Sequence, residues 1–447
     1  MNGTADTPPR ISPLRGARSW THAFGVVLLM RVGAAGLAFA ATALIGRQLG
    51  DALLGRLGLL LAIMDVAAGL AGPALDTTLV RFAARQISSG RDGSLAYFQR
   101  MFRIKLVVAA GLLLCGAALA RPVLDYVIAP SAGDAAGPGG VVLAFAGAAV
   151  VTLLGFAQAY YQAHLRMARY AFLEFANSLL RLGVVGCLLA VLERPSASLL
   201  LGAFVASSAL VAAGGLARLP RAVFQRSTEN PAPLRTALGF AQWVAVAAAA
   251  TTLAQRADVF ILGIAGTAGG AIGQYVAAFT VARLGDLAIM TLFSVLLPRA
   301  SALTAPAAFR GFLNRFLPVV VAAFAASLPA YFAARWAVPF VFGAGFAPAG
   351  VLCGILCLGV LASFGTAPAG AALYGMGRSG HVAALETLKL AALAAAGVFA
   401  ARHYGVFGMA WTVSAVRATI GLATYVCAYR AANRCGQESV ARGDHAP

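Results

Sequence analysis

The sequence predicts an all-α integral membrane protein, and three observations carry that prediction. Of the 447 residues, 60% are hydrophobic and only 11% are charged, with a mean hydropathy of +0.83. A soluble surface cannot be built from so few polar groups. The apolar residues gather into runs of about 20, the length that crosses a hydrocarbon core. Lysine and arginine concentrate in every second gap between those runs. The runs are continuous rather than alternating, which excludes a β-barrel.

Twelve runs qualify. The first, Trp20–Ile45, follows a polar, proline-containing N-terminus with Arg10, Arg15 and Arg18. That stretch lacks the short apolar core and small-residue cleavage site of a removable signal, so the run is expected to remain as a helix. Leu57–Val80 and Ile104–Ala120 come next, separated by a basic stretch from Arg81 to Lys105. Gly140–Tyr161 and Phe172–Leu192 flank Arg166 and Arg169, and Leu199–Leu216 closes the first set. The longest basic linker, Arg218 to Arg235, contains Pro220, Pro231 and Pro233. Beyond it lie Leu238–Ile264, Gln274–Leu297, Phe316–Phe332, Val351–Tyr374, Val382–Ala401 and Val406–Cys427.

Orientation follows from the basic residues. With the N-terminus inside, the even-numbered loops and both tails hold 22 of the 34 Lys and Arg, and the opposite side holds six. The remaining six are five arginines within apolar runs and Lys389. This bias places both termini in the cytoplasm. Trp20, Trp336 and Tyr404 fall at expected span ends, where amphipathic aromatics belong. The expected organisation is a tail (1–19), a six-helix lobe (20–217), a linker (218–236), a second six-helix lobe (237–428) and a tail (429–447).

The two lobes share a plan. A shift of 218 residues superimposes Gly55 on Gly273, Asp65 on Arg283, Asp76 on Ser294, Leu79 on Leu297 and Arg81 on Arg299. Both stretches have the same orientation, so the repeats are parallel, related by a pseudo-two-fold along the membrane normal. Substrate sites in such transporters lie at mid-depth between the repeats.

The candidate functional residues are charges inside spans. Arg31, Arg181, Arg256, Arg283 and Arg417 each interrupt a long apolar run. A charge at mid-depth costs roughly 2.5–3.5 kcal/mol on insertion scales, so such residues face a bundle interior or a wet cavity. Only Asp65, Asp258 and Asp286 lie comparably deep, leaving a formal surplus of two positive charges. Counting Asp76, Glu174 and the Glu386–Lys389 pair, nearer the cytoplasmic surface, brings the tally level. The expected result is a cationic lumen for an anionic cargo.

Residues three, four, seven or eleven apart share a helix face. Glu174, Asn177, Ser178 and Arg181 form one stripe, and Asp65, Ala68, Gly69, Gly72 and Asp76 another. Thr280, Arg283 and Ser294 align, as do Ser414, Arg417, Gly421 and Thr424. Gln158 and Gln162 stand one turn apart. Asp286 follows Arg283 by three residues, so the two are expected to pair. Arg417 has no acid within a turn. Asp258 points nearly opposite to Arg256, leaving it a partner on another helix or a proton. Asp65 is open to three roles: ion-pair partner, proton site or cation ligand. Snorkelling competes with a lumen role for Arg31 and Arg256, and plain interhelical bonding competes for the two glutamines.

Other chemistries find little support. The basic residues are scattered singly, without the basic stripe and interleaved aromatics of a nucleic-acid binder. Cys353 and Cys357 share a face but have no His or acid beside them to complete a metal site. The Gly263–Gly273 loop lacks the Lys-Ser/Thr ending of a phosphate loop, and no nucleophile–base constellation occurs. No metal or cofactor is expected.

The segment Leu75-Asp76-Thr77-Thr78-Leu79-Val80-Arg81-Phe82 resembles the end of the second helix in bacterial polysaccharide flippases of the oligosaccharide exporter family. Arg256-Ala257-Asp258-Val259-Phe260-Ile261-Leu262-Gly263, then Ile272-Gly273-Gln274-Tyr275 and Leu297-Pro298-Arg299-Ala300-Ser301, is similar to that family's seventh and eighth helices. Phe342 to Phe346, Tyr374 to Arg378 and Tyr404 to Gly408 resemble its later landmarks. The resemblance implies the two-lobed bundle of the multidrug and oligosaccharide-lipid exporter superfamily. It implies transport of a glycan on a polyprenyl diphosphate carrier across the bacterial inner membrane by alternating access. It also implies a cationic cavity lined by Arg31, Arg283 and, less directly, Arg256. Lipid II flippases have two further helices, which this chain lacks.

The expected substrate-binding set is therefore Arg31, Arg283, Arg417, Arg181, Arg256, Gln158, Gln162 and Asn177, with Asp65, Asp258 and Asp286 as ion- or proton-coupling candidates. Expected partners are the lipid-linked anionic glycan, membrane lipids and, beside it, a glycan polymerase and glycosyltransferases. The alternatives are a multidrug or metabolite cation-coupled antiporter of the same fold and a scaffold for a glycan-polymerising complex.

Overall fold

The structure is a computed structural model describing residues 13–88, 94–128, 137–225, 234–301, 303 and 306–441. Among them the chain is helical from end to end: α1 (Pro13–Leu49), α2 (Asp51–Ala71), α3 (Pro73–Ser88), α4 (Ser94–Val123), α5 (Pro138–Ala163), α6 (Met167–Val191) and α7 (Ala197–Ala217). After the linker come α8 (Leu234–Ile264), α9 (Gly269–Ser301), α10 (Pro306–Phe342), α11 (Ala347–Gly375) and α12 (Ser379–Ala441). Each expected apolar run lies in these helices, the second extending from α2 into α3. Ten segments of the described residues are long and apolar enough to cross a membrane. The last of them, in α12, is broken at Gly405, whose φ of 58° and ψ of −141° leave helical space. Most N-terminal tail residues and much of the linker lie outside the described residues. Helix α12 runs on through the expected C-terminal tail to Ala441.

The halves are built alike. In the first, α5 is central and packs on α2, α3, α4 and α7; in the second, α11 packs on α9, α10 and α12. Large apolar side chains such as Leu29, Val107, Leu114, Val191 and Phe340 are left exposed on the outside, as a lipid-facing surface requires. Trp336 and Tyr404 are 81% and 68% exposed; the Trp20 side chain lies outside the described set.

The halves meet where α2 runs beside α8 and α9. A methyl on Gly55 would overlap the Gly269 carbonyl, and one on Gly273 would overlap the Asp51 carbonyl. Under the 218-residue shift these two contacts are images of each other, the reciprocity that a two-fold imposes. Gly58 meets Val276, its own equivalent, so the axis passes between them. Backbone can approach this closely only where no side chain intervenes.

One expectation needs correcting. The second apolar run is not one unbroken helix: Gly72, ahead of Pro73, separates α2 from α3. Asp65 and Asp76, on either side of that break, meet different partners, Arg256 and Lys105. Asp65 turns to the seam between the halves, and Asp76 turns into the first half.

Candidate functional site

A cavity of about 400 Å³ lies between the halves. Small and apolar residues of α1 (Ala35, Ala38, Phe39, Thr42) and α2 (Leu57, Gly58, Leu61, Met64) form much of its wall. Helix α9 supplies Val276, Phe279, Thr280, Arg283, Leu284 and Leu287. The charged lining is Arg181 from α6, Arg256 from α8, Arg283 from α9 and Asp65 from α2. Both lining threonines spend their hydroxyls on backbone carbonyls one turn back, Thr42 on Ala38 (3.1 Å) and Thr280 on Val276 (2.7 Å).

The three guanidiniums are held differently. Arg256 forms an ion pair with Asp65 across the seam, and its guanidinium carbon is 5.9 Å from the centre of the Phe279 ring. Arg181 sits 4.6 Å above the Phe204 ring, and its buried Nε has no hydrogen-bond partner. Cation–π contact holds the Arg181 group in place without cancelling its charge. Arg283 makes no hydrogen bond or ion pair among the described residues.

Several expected partners differ. Asp286 does not pair with Arg283; it is gripped by Arg417 from the second part of α12, at 3.0 and 3.2 Å. Packing decides this. A Cβ on Gly285 would lie 2.6 Å from Val360 of α11, and one on Gly359 would lie 2.7 Å from the Ser414 backbone. These close approaches draw α9, α11 and α12 together, and the fork of Arg417 meets the carboxylate squarely. Arg417 therefore borders a small gap beside Arg283 rather than the main cavity.

Glu174 serves Arg31 and not Arg181, at 3.3 Å, because α1 packs along α6. Arg31 also donates to the Tyr170 hydroxyl at 2.5 Å and lies exposed, outside the cavity lining. Gln158 and Gln162 are half-buried on α5 and also lie outside it. Asn177 accepts a hydrogen bond from Ser208 at 3.0 Å, which ties α6 to α7.

Asp258 is buried, with a partner on the next helix. It accepts from the Tyr275 hydroxyl at 2.7 Å and from the Val259 amide at 2.8 Å. Sequence reasoning missed Tyr275, because a tyrosine near a span end reads as interfacial. It also missed Lys105, counted as cytoplasmic. Helix α4 begins ten residues before the apolar run, at Ser94, so Lys105 lies well inside the bundle. Its ammonium meets Asp76 at 2.5 Å and the Thr152 carbonyl at 2.8 Å, with 1% of its side chain exposed.

At the far end of the seam, Gln274 of α9 donates to Asp51 across the seam and to the Gly345 carbonyl, both at 2.9 Å. It also accepts from the Ala349 amide at 3.1 Å. This clamp joins the halves beside the Gly55–Gly273 contact. Among the described residues no group of three or more His, Cys, Asp or Glu gathers as a metal cluster would.

The model of a family described as "Polysaccharide biosynthesis protein" matches residues 21–304. No curated protein matches the chain. Among solved structures, it is similar to an inward-facing multidrug resistance MATE family transporter of the MOP superfamily, at 14% identity and a TM-score of 0.72. The match covers 91% of this chain and 96% of that one. It is equally similar by TM-score, 0.72, to the lipid II flippase MurJ in an inward closed conformation, at 10% identity over 92% and 91% of the two chains. A MOP superfamily transporter from Pyrococcus furiosus, described as having a binding pocket of reverse polarity that suggests a different function, matches at 15% identity. Its TM-score is 0.63, over 92% of this chain and 96% of that one. At these identities the likeness establishes a shared fold.

Proposed function

Because the chain belongs to the polysaccharide biosynthesis protein family, a multi-pass membrane protein with the fold of MOP superfamily transporters, we propose that it flips a polyprenyl diphosphate-linked oligosaccharide. One observation carries the reading: three arginines and one aspartate share a cavity between the two halves, leaving two positive charges in excess. A diphosphate diester carries one negative charge on each phosphate. Planar guanidiniums bind phosphate oxygens bidentately, which suits Arg181, Arg256 and Arg283 to this head group. The apolar wall suits the first units of the carrier.

Twelve crossings in two six-helix lobes, both termini cytoplasmic in a bacterial inner membrane, accord with the 22-to-6 bias of basic residues. Alternating access then consists of the halves rocking about the α2–α9 seam. Glycosyltransferases and a polymerase are the enzymes that would make and consume such a substrate.

A multidrug antiporter of this fold is the competing reading. An organic cation would face three guanidiniums, and the single lining acid among the described residues, Asp65, is already occupied by Arg256. The test is made in a bacterium deleted for this chain. Arg181→Ala/Arg283→Ala should abolish surface glycan while the protein accumulates normally in the membrane; undiminished export would overturn the assignment.

A further inference from the structure

Arg283 and Asp286 stand three residues apart on α9, a spacing at which opposite charges close on each other. Here they do not, because Arg417 takes both carboxylate oxygens of Asp286. The three side chains border one small gap walled by Phe279, Val360 and Val413, and Arg283 alone of the three also lines the main cavity. The grip is firmly mounted. One turn before Arg417, Ser414 donates to the Ile355 carbonyl at 2.7 Å, fastening α12 to α11.

We propose that Arg417 is a positioning residue: by holding Asp286 it keeps that carboxylate from closing on Arg283, which stays open to the anionic head group in the cavity. The inference rests on the transport reading above. Its logic is electrostatic competition. Asp286 is only part-buried, and a part-buried carboxylate pairs with the cation that geometry brings within reach. With Arg417 in place, that cation comes from α12. Without it, the neighbour at i−3 is Arg283, and the cavity loses one of its two unpaired guanidiniums. The 218-residue repeat adds a further reason for the device. The equivalent of Arg283 in the first half is Asp65, which is itself paired with an arginine from the opposite half. Asp286 borders the small gap and not the main cavity, so in this proposal it acts on the site through Arg283.

A plain strut between α9 and α12 makes a different forecast, so the test uses rescue. Farnesyl diphosphate serves as the probe, binding to the full-length chain in nanodiscs. Arg417→Met keeps the aliphatic bulk and frees Asp286; it should weaken binding about tenfold or more, the effect of losing one charged contact. Arg417→Met/Asp286→Asn should return binding to within about threefold of wild type, because no carboxylate remains to capture Arg283. A double variant as weak as Arg417→Met overturns the proposal.

A second measurement stands apart from substrate. Unfolding temperatures of Arg283→Gln, Asp286→Asn and the pair should shift almost additively in the wild-type background, where Arg417 holds the carboxylate and only weak coupling remains. In the Arg417→Met background they should become non-additive, since Arg283 and Asp286 now touch; additive shifts there overturn the switch of partners. If the coupling emerges but Arg283→Gln leaves farnesyl diphosphate binding intact, the switch of partners stands and the cavity reading is overturned.

Discussion

Asp65→Asn is the sharpest perturbation of the cavity. Asp65 is the one carboxylate among the described lining residues, and the exchange preserves its shape while removing its charge. The formal lining charge rises from +2, three arginines less one aspartate, to +3. Two unit charges roughly 8 Å apart interact by about 2 kcal/mol at an effective dielectric constant of about 20. The Asp65 side chain is 40% exposed, and screening at such a site brings this to about 1 kcal/mol per charge. Farnesyl diphosphate, a monoester with two to three negative charges near neutral pH, should therefore bind more tightly by about 2–3 kcal/mol, or about 30- to 150-fold, and a two-charge diester head group by about 2 kcal/mol. Arg256, released from its partner, adds to the same direction. Calorimetry of farnesyl diphosphate with the full-length chain in nanodiscs measures the gain, which should shrink as salt is added. Turnover in a flipping assay should fall, since a tighter complex releases more slowly. Binding that is unchanged or weaker in Asp65→Asn would refute the electrostatic reasoning.

Three further outcomes concern the frame around the cavity. Lys105→Met should lower the unfolding temperature sharply, because it strands Asp76 inside the first half at a cost of about 3–5 kcal/mol; Lys105→Met/Asp76→Leu should recover most of it. Gly273→Ala should disrupt the seam, since the new methyl meets the Asp51 backbone and no side chain can move aside; a lower melting temperature and greater thiol accessibility at a cysteine placed at position 270 report it. Gly111→Ala, where a Cβ would meet nothing within 4 Å, is the control. Tyr275→Phe should destabilise by about 1–3 kcal/mol by leaving one Asp258 oxygen without its donor, and Tyr275→Phe/Asp258→Leu should be milder than Asp258→Leu alone.

Much of this helical architecture was legible in the sequence because bilayer thickness sets helix length. The 218-residue repeat was legible too: its first matched pair, Gly55 and Gly273, lies at the closest contact between the halves. Ion pairing was less so. Helical periodicity places Arg283 and Asp286 on one face but says nothing of α12, whose Arg417 wins the carboxylate. The same applies to Glu174, which the packing of α1 on α6 gives to Arg31. Lys105 was hidden because hydropathy marks where lipid begins, and its helix starts ten residues earlier. The cavity's excess of two positive charges equals the surplus counted from deep residues, yet different residues supply it: Arg31 and Arg417 lie outside, each with its own acid.

The central claim is that the cavity takes an anionic lipid head rather than an organic cation, and competitive binding tests it most directly. With purified full-length chain in nanodiscs, farnesyl diphosphate should bind, ethidium should not displace it, and Arg181→Ala/Arg283→Ala should lose the binding. Ethidium bound in preference to farnesyl diphosphate, and retained in that double variant, would contradict the account.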